Sequence, residues 1–132
     1  MIDTRTVPYA ALLLRVSMGL LFIAHGAIKL FVFTPAGTVA FFASLGLPAV
    51  AAWAVILAEI LGGIALVLGF LTRWVALGLL PVMAGAALVH AGAGFMFSNQ
   101  GGGWEFPVFW AATLLVQAML GDGAHSLRAA RA

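Results

Sequence analysis

The amino-acid sequence predicts an all-α membrane protein: a four-helix transmembrane bundle with a short interfacial helix between helices 1 and 2. Three observations carry that expectation. The chain of 132 residues is 64% hydrophobic and 8% charged, with a mean hydropathy of +1.17, more apolar surface than a soluble domain of that length needs. Its apolar residues fall into four runs long enough, or nearly long enough, to cross a bilayer. Several of its few charged residues stand inside those runs, where they cost most. The length allows a single domain, and the spans use nearly all of it.

The first span reads from Val7 to Phe31. Arg15 interrupts it and no small-x-small site follows cleanly, so it is expected to be a retained helix and not a cleaved leader. Thr34-Pro35 then has the form of an N-cap followed by a first-turn proline, and Gly46 that of a C-terminal stop. The segment between them carries Val39, Phe41, Phe42 and Leu45 and is too short to span, which suits a helix lying in the membrane interface. The second span is read from Pro48 to Leu71, and Gly69 with Thr72-Arg73 leaves room only for a tight hairpin into the third, Trp74 to Gly92. A glycine-rich stretch from Ala93 to Gly103, expected to be a flexible loop, leads through Trp104-Glu105 into the fourth span, Phe106 to Leu120. Pro48 and Pro107 lie near helix starts, where a missing N–H costs nothing.

The net charge of +2 and pI near 10.0 rest on six dispersed basic residues, so no nucleic-acid partner is implied. Their use is topological. Four antiparallel spans put Arg5, Arg73, Arg128 and Arg131 on one side, with Arg15 toward it, and Lys29 alone toward the other. The positive-inside rule then places both termini in the cytoplasm and the two longer connections outside. Cysteine is absent, which excludes disulfides, a thiol relay, thiolate-bound metal and covalently attached haem. No intrinsic cofactor or metal site is expected; electrons, if the chain handles any, sit on something it binds.

Glu59 stands alone in the middle of the second span. A carboxylate at that depth costs a few kcal/mol even on lenient insertion scales, and its default reading is a partnered, inward-facing functional group. On the first helix, Arg15, Gly19, Phe22, Gly26 and Lys29 share a face, with His25 beside Lys29. On the third, Leu79, Met83, Ala86 and His90 share another, and Glu105 enters the fourth helix from the same end. The expected site is therefore a cluster of His25, Lys29, Glu59, His90 and Glu105 opening toward the extracytoplasmic face. Phe31 and Trp104 are candidates to stack on a bound ring, although Trp53, Trp74, Trp104 and Trp110 also suit an interfacial aromatic belt. A structural ion pair between Arg15 and Glu59 is the plain alternative, as is a Glu59–Lys29 pair. His25 and His90 at matching depth could ligate a b-type haem, but no larger haem-binding pattern accompanies them; hydrogen bonding within the bundle or to a quinone is preferred.

An ordered set of segments resembles the DoxX family of small bacterial membrane proteins: Arg15-x3-Gly19-x2-Phe22-x2-His25-Gly26-x2-Lys29-Leu30, Gly46-Leu47-Pro48, Glu59-x2-Gly62-Gly63-x2-Leu66-x2-Gly69, Thr72-Arg73, His90 and Gly102-Gly103-Trp104-Glu105. The resemblance implies a four-helix protein of the bacterial cytoplasmic (inner) membrane. It also implies association with quinone-linked oxidation and with oxidative-stress and thiol-homeostasis complexes, so a protein partner, either an oxidoreductase subunit or a soluble redox enzyme, is expected beside the lipid bilayer. A homo-oligomer is a further expectation. Three function classes follow: a quinone-binding membrane subunit of an oxidoreductase, a small-solute or proton transporter, and a membrane scaffold for a soluble redox or detoxification enzyme. The first needs protonatable groups facing the ring, which the cluster would supply.

Overall fold

The computed structural model describes residues 3–127, so Arg128 and Arg131 of the charge argument lie outside the described residues. Among the described residues every regular element is helical: α1 Val7–Phe31, α2 Thr34–Ser44, α3 Ala49–Leu68, α4 Thr72–His90 and α5 Glu105–Leu120, with a short 3₁₀ turn at Ala91–Ala93. Three of these are long and apolar enough to cross a membrane: α1, α3, and α4 with its 3₁₀ extension, Thr72–Ala93. α5 has 16 residues, about 24 Å of helix, shorter than a hydrocarbon layer of roughly 30 Å. It completes the bundle by packing along α4.

Local chemistry sets the boundaries. Thr34 Oγ1 accepts a hydrogen bond from Gly37 N–H at 3.2 Å, closing the first turn of α2. Gly46 at φ +78° ends that segment. α3 stops at Leu68, short of the expected Leu71, because Gly69 enters the left-handed region at φ +69°. Leu71 follows at φ +48°, so the turn is Gly69–Leu71, and Thr72 and Arg73 already belong to α4. The loop before α5 is held rather than loose: Trp104 N–H donates to Gly94 O at 3.1 Å, Glu105 N–H to Phe95 O at 3.2 Å, and Asn99 Nδ2 to Ala93 O at 2.9 Å.

The core runs along the inner faces of all four long helices. Phe22, Leu66 and Leu114 are fully buried, with Met18, Leu79, Met83 and Ala118 beside them. α1 and α3 cross at Gly19 and Gly63: a Cβ on either would lie 2.7 Å from the carbonyl oxygen of the other. Small residues at a crossing let two backbones approach closely, the usual way helices associate in lipid. Because the obstacle is main chain, Gly63→Leu is expected to force the pair apart and destabilise the fold by about 1–3 kcal/mol, as measured by unfolding in mixed micelles. Gly78→Ala, where an added Cβ meets nothing within 4 Å, should leave stability unchanged. A neutral result at Gly63 would mean that the crossing is not tight.

The start of α1 and the segment after α5 lie at the end of the bundle that holds the Gly69–Leu71 turn. Ala124 N–H donates to Pro8 O at 2.9 Å, and Leu127 N–H to Leu68 O at 3.0 Å. The opposite end carries α2 and the loop into α5.

Candidate functional site

The crossing at Gly19 and Gly63 determines which charged side chains meet. Lys29 lies about 15 Å beyond Gly19 along α1, and Glu59 about 6 Å from Gly63 in the same direction. Helical side chains lean toward their own N-termini, and α1 and α3 are antiparallel, so the two lean toward each other. Gly26 sits between them; a Cβ there would be 3.4 Å from Glu59 Cβ. Lys29 Nζ donates to both carboxylate oxygens of Glu59, at 2.9 and 2.8 Å. Glu59 is 3% exposed, and the Lys29 side chain 20%. The Lys29 carbonyl in turn accepts Thr38 Oγ1 at 3.0 Å, which fastens α2 over the end of α1.

Two histidines are oriented by main chain. His25 Nδ1 lies 2.9 Å from Leu21 O, and His90 Nδ1 2.8 Å from Gly101 O. A carbonyl only accepts, so each Nδ1 carries the hydrogen, and each Nε2 is left to accept when the ring is neutral. Both rings, with Lys29 and Glu59, line a cavity of about 350 Å³, within the lower range of small-molecule sites. The rest of its wall is apolar, including Val55, Met83, Phe106 and Trp110. Trp110 is 4% exposed, and its indole N–H has no acceptor among the described residues. Its ring meets that of His25 edge-on at 5.0 Å, with Phe22 at 4.5 Å and Phe106 at 5.4 Å.

Four of the five expected cluster residues thus share one cavity, and the fifth does not. Glu105 turns instead to the loop: its Oε1 accepts Phe97 N–H at 2.9 Å. At the first position of α5 the carboxylate satisfies backbone donors nearby, and it lines a separate surface groove with Phe95, Phe97 and Trp104. Trp104 packs edge-on against Phe95 at 4.9 Å and does not reach the cavity. Phe31 is 81% exposed and also points elsewhere. The aromatic lining is Trp110 and Phe106, with Phe41 and Phe42 of α2. Trp110 is therefore no part of an interfacial belt. Its signal was the four-residue spacing of Phe106, Trp110, Leu114 and Ala118, which marks one face of α5.

The alternative pair of Arg15 with Glu59 is not formed. Arg15 is fully buried and donates to five main-chain carbonyls. Nη1 reaches Leu66 O at 3.0 Å and Val67 O at 2.6 Å, in the last turn of α3. Nε reaches Asp122 O at 2.8 Å, and Nη2 reaches Ala124 O at 2.8 Å and His125 O at 3.0 Å. The guanidinium fork caps one helix end and ties down the segment after α5. Asp122 also accepts Thr72 N–H through Oδ1 at 3.1 Å, at the start of α4.

The sequence profile of the DoxX family matches residues 10–92. The chain belongs to the DoxX family. Every charged or imidazole residue of the cavity lies within the matched stretch, whereas Phe106 and Trp110 lie beyond it. A protein of Bacillus subtilis (strain 168) named "Putative oxidoreductase CatD" is 34% identical over 112 residues, covering 84% of this chain and 78% of that protein. No solved structure gives a significant match. DoxX is a membrane family, and the long apolar helices accord with it: this DoxX protein is a membrane protein.

Proposed function

We propose that this DoxX protein is the membrane subunit of a quinone-linked oxidoreductase and binds a quinone head group in the cavity between α1, α3, α4 and α5. The observation that carries the reading is the unpaired indole N–H of Trp110 in an apolar chamber that also presents two imidazoles and the Lys29–Glu59 pair. The donor set suits the ligand: the Trp110 N–H is free to donate to a ring carbonyl, and each histidine Nε2 is free to accept from a ring hydroxyl. Flat apolar walls suit the ring. A bound quinone supplies a two-electron acceptor that takes up two protons on becoming the hydroquinone. His25 and His90 hold and pass those protons at Nε2, and Lys29–Glu59 keeps a fixed dipole beside the ring. The electrons come from a partner oxidoreductase subunit. The oxidoreductase name of the Bacillus subtilis relative supports this class of function.

The arginines support a direction. Arg5 and Arg73 share one end of the bundle with the clamped Arg15, and the positive-inside rule places that end in the cytoplasm of a bacterial inner membrane. The cavity then lies in the extracytoplasmic half of the bilayer, under α2 lying in the interface. Beside the cavity the core layer of Met18, Phe22, Leu66, Leu79 and Leu114 is built of apolar side chains, which favours a binding chamber over a transport conduit.

Glu59→Gln and His90→Ala are each expected to cut quinone binding at least tenfold in purified protein while leaving the helical content intact. Equilibrium binding of quinone in nanodiscs, with circular dichroism as the control, measures both. Folded variants that bind as tightly as wild type would make the cluster structural and leave the scaffold reading standing.

A further inference from the structure

The chemistry of the cavity is arranged by depth. Its polar members are all withdrawn: Glu59 is buried, and His25, Lys29 and His90 are half-buried. Every exposed residue in its lining is apolar. Phe41, Leu45 and Leu47 come from α2 and the linker to α3; Pro81, Gly85 and Val89 come from α4; Phe106 comes from α5. From Pro81 to Val89 the α4 rim rises about 12 Å, from the middle of that helix to its His90 end. Exposed apolar side chains along that rim suit an opening onto hydrocarbon.

We infer that the cavity fills sideways from the bilayer, through a mouth between the α2–α3 linker and α4. Its ligand is an amphiphile whose polar end reaches Lys29–Glu59 and whose apolar tail stays in lipid. This inference rests on the ligand-binding reading above and adds the route and the need for a tail. A charged or water-soluble solute would have to cross the apolar rim without compensation, at the cost that any unpaired polar group meets in hydrocarbon.

Gly85 provides a clean plug. It is exposed and lines the cavity, and a Cβ added there meets nothing within 4 Å, so a side chain starts from open space. Gly78 lies two turns away on the same face of α4, is equally open, and is outside the cavity lining. The test uses the full chain in nanodiscs, with a benzoquinone bearing a long isoprenoid tail and its tail-free, water-soluble counterpart as probes. Wild type and Gly78→Phe should bind the tailed quinone alike, Gly85→Phe at least tenfold more weakly, and the tail-free ring should bind wild type at least tenfold more weakly than the tailed one. Equal binding of the tailed quinone by Gly85→Phe and wild type would overturn the lateral route. So would equal affinity of wild type for the two rings.

If wild type binds neither ring, the quinone reading fails and the route is decided without quinone. A variant keeping Trp110 as its sole tryptophan, with Trp53, Trp74 and Trp104 changed to Phe, is placed in brominated-lipid bilayers. Quenching of Trp110 by the brominated chains, relieved by Gly85→Phe, supports lipid entry. Quenching by aqueous iodide alone overturns it.

Discussion

Lys29→Ala is expected to destabilise the bundle by about 3–5 kcal/mol, the usual cost of orphaning one member of a buried ion pair. The carboxylate left behind is 3% exposed, and both its oxygens lose their donor at once. Among the described residues no other side chain donates to Glu59. Removing both charges together is a different experiment. Lys29→Met with Glu59→Leu should recover most of the loss, since replacing a buried pair by apolar residues of similar size is often close to neutral. Unfolding in mixed micelles gives both numbers. A Lys29→Ala variant within about 1 kcal/mol of wild type would mean that the pair is solvated and weak. The recovered double variant should still bind no quinone, which separates the pair's part in the fold from its part in the site.

Arg15→Ala is expected to be similarly damaging for a different reason. It removes five donors from carbonyls that are buried or part-buried. Each orphaned acceptor costs on the order of 1–3 kcal/mol while it stays buried. The segment 122–125 escapes that cost by lifting away, whereas Leu66 and Val67 sit at a helix end that cannot. The net loss should therefore be about 2–4 kcal/mol, accompanied by faster hydrogen exchange at residues 122–127. Arg15→Lys should rescue little, because a single ammonium cannot reach carbonyls on two sides as the guanidinium fork does. Full stability in the lysine variant would show that charge alone suffices there.

The fold was legible because lipid makes hydrophobicity nearly sufficient. Four apolar runs, a proline near helix starts and glycines at Gly46 and Gly69 mark the elements. Half of the site was legible for the same reason: His25, Lys29, Glu59 and His90 are conspicuous in apolar surroundings. What stayed hidden was the identity of partners. Arg15 was weighed against a carboxylate because side chains have letters in a sequence, whereas the five carbonyls it serves have none. Glu105 was assigned by its end of the bundle, but spacing does not say that a loop folds back onto it. Trp110 reads like any interfacial tryptophan until its helix is packed, when its ring turns inward against His25 and Phe22.

The Arg15 clamp also sets an order in time. The guanidinium emerges with the first helix, but its acceptors at Leu66 and Val67 follow about fifty residues later, and Asp122 follows 107 residues later. At ordinary synthesis rates that interval is roughly 5–20 s. Through it the first helix holds a charge in or near the membrane with no permanent partner, resting on lipid head groups or on the insertion machinery. The segment after α5 is thus the latch of α1. A fusion or cut placed between α5 and Asp122 would leave every span intact and the first of them unlocked.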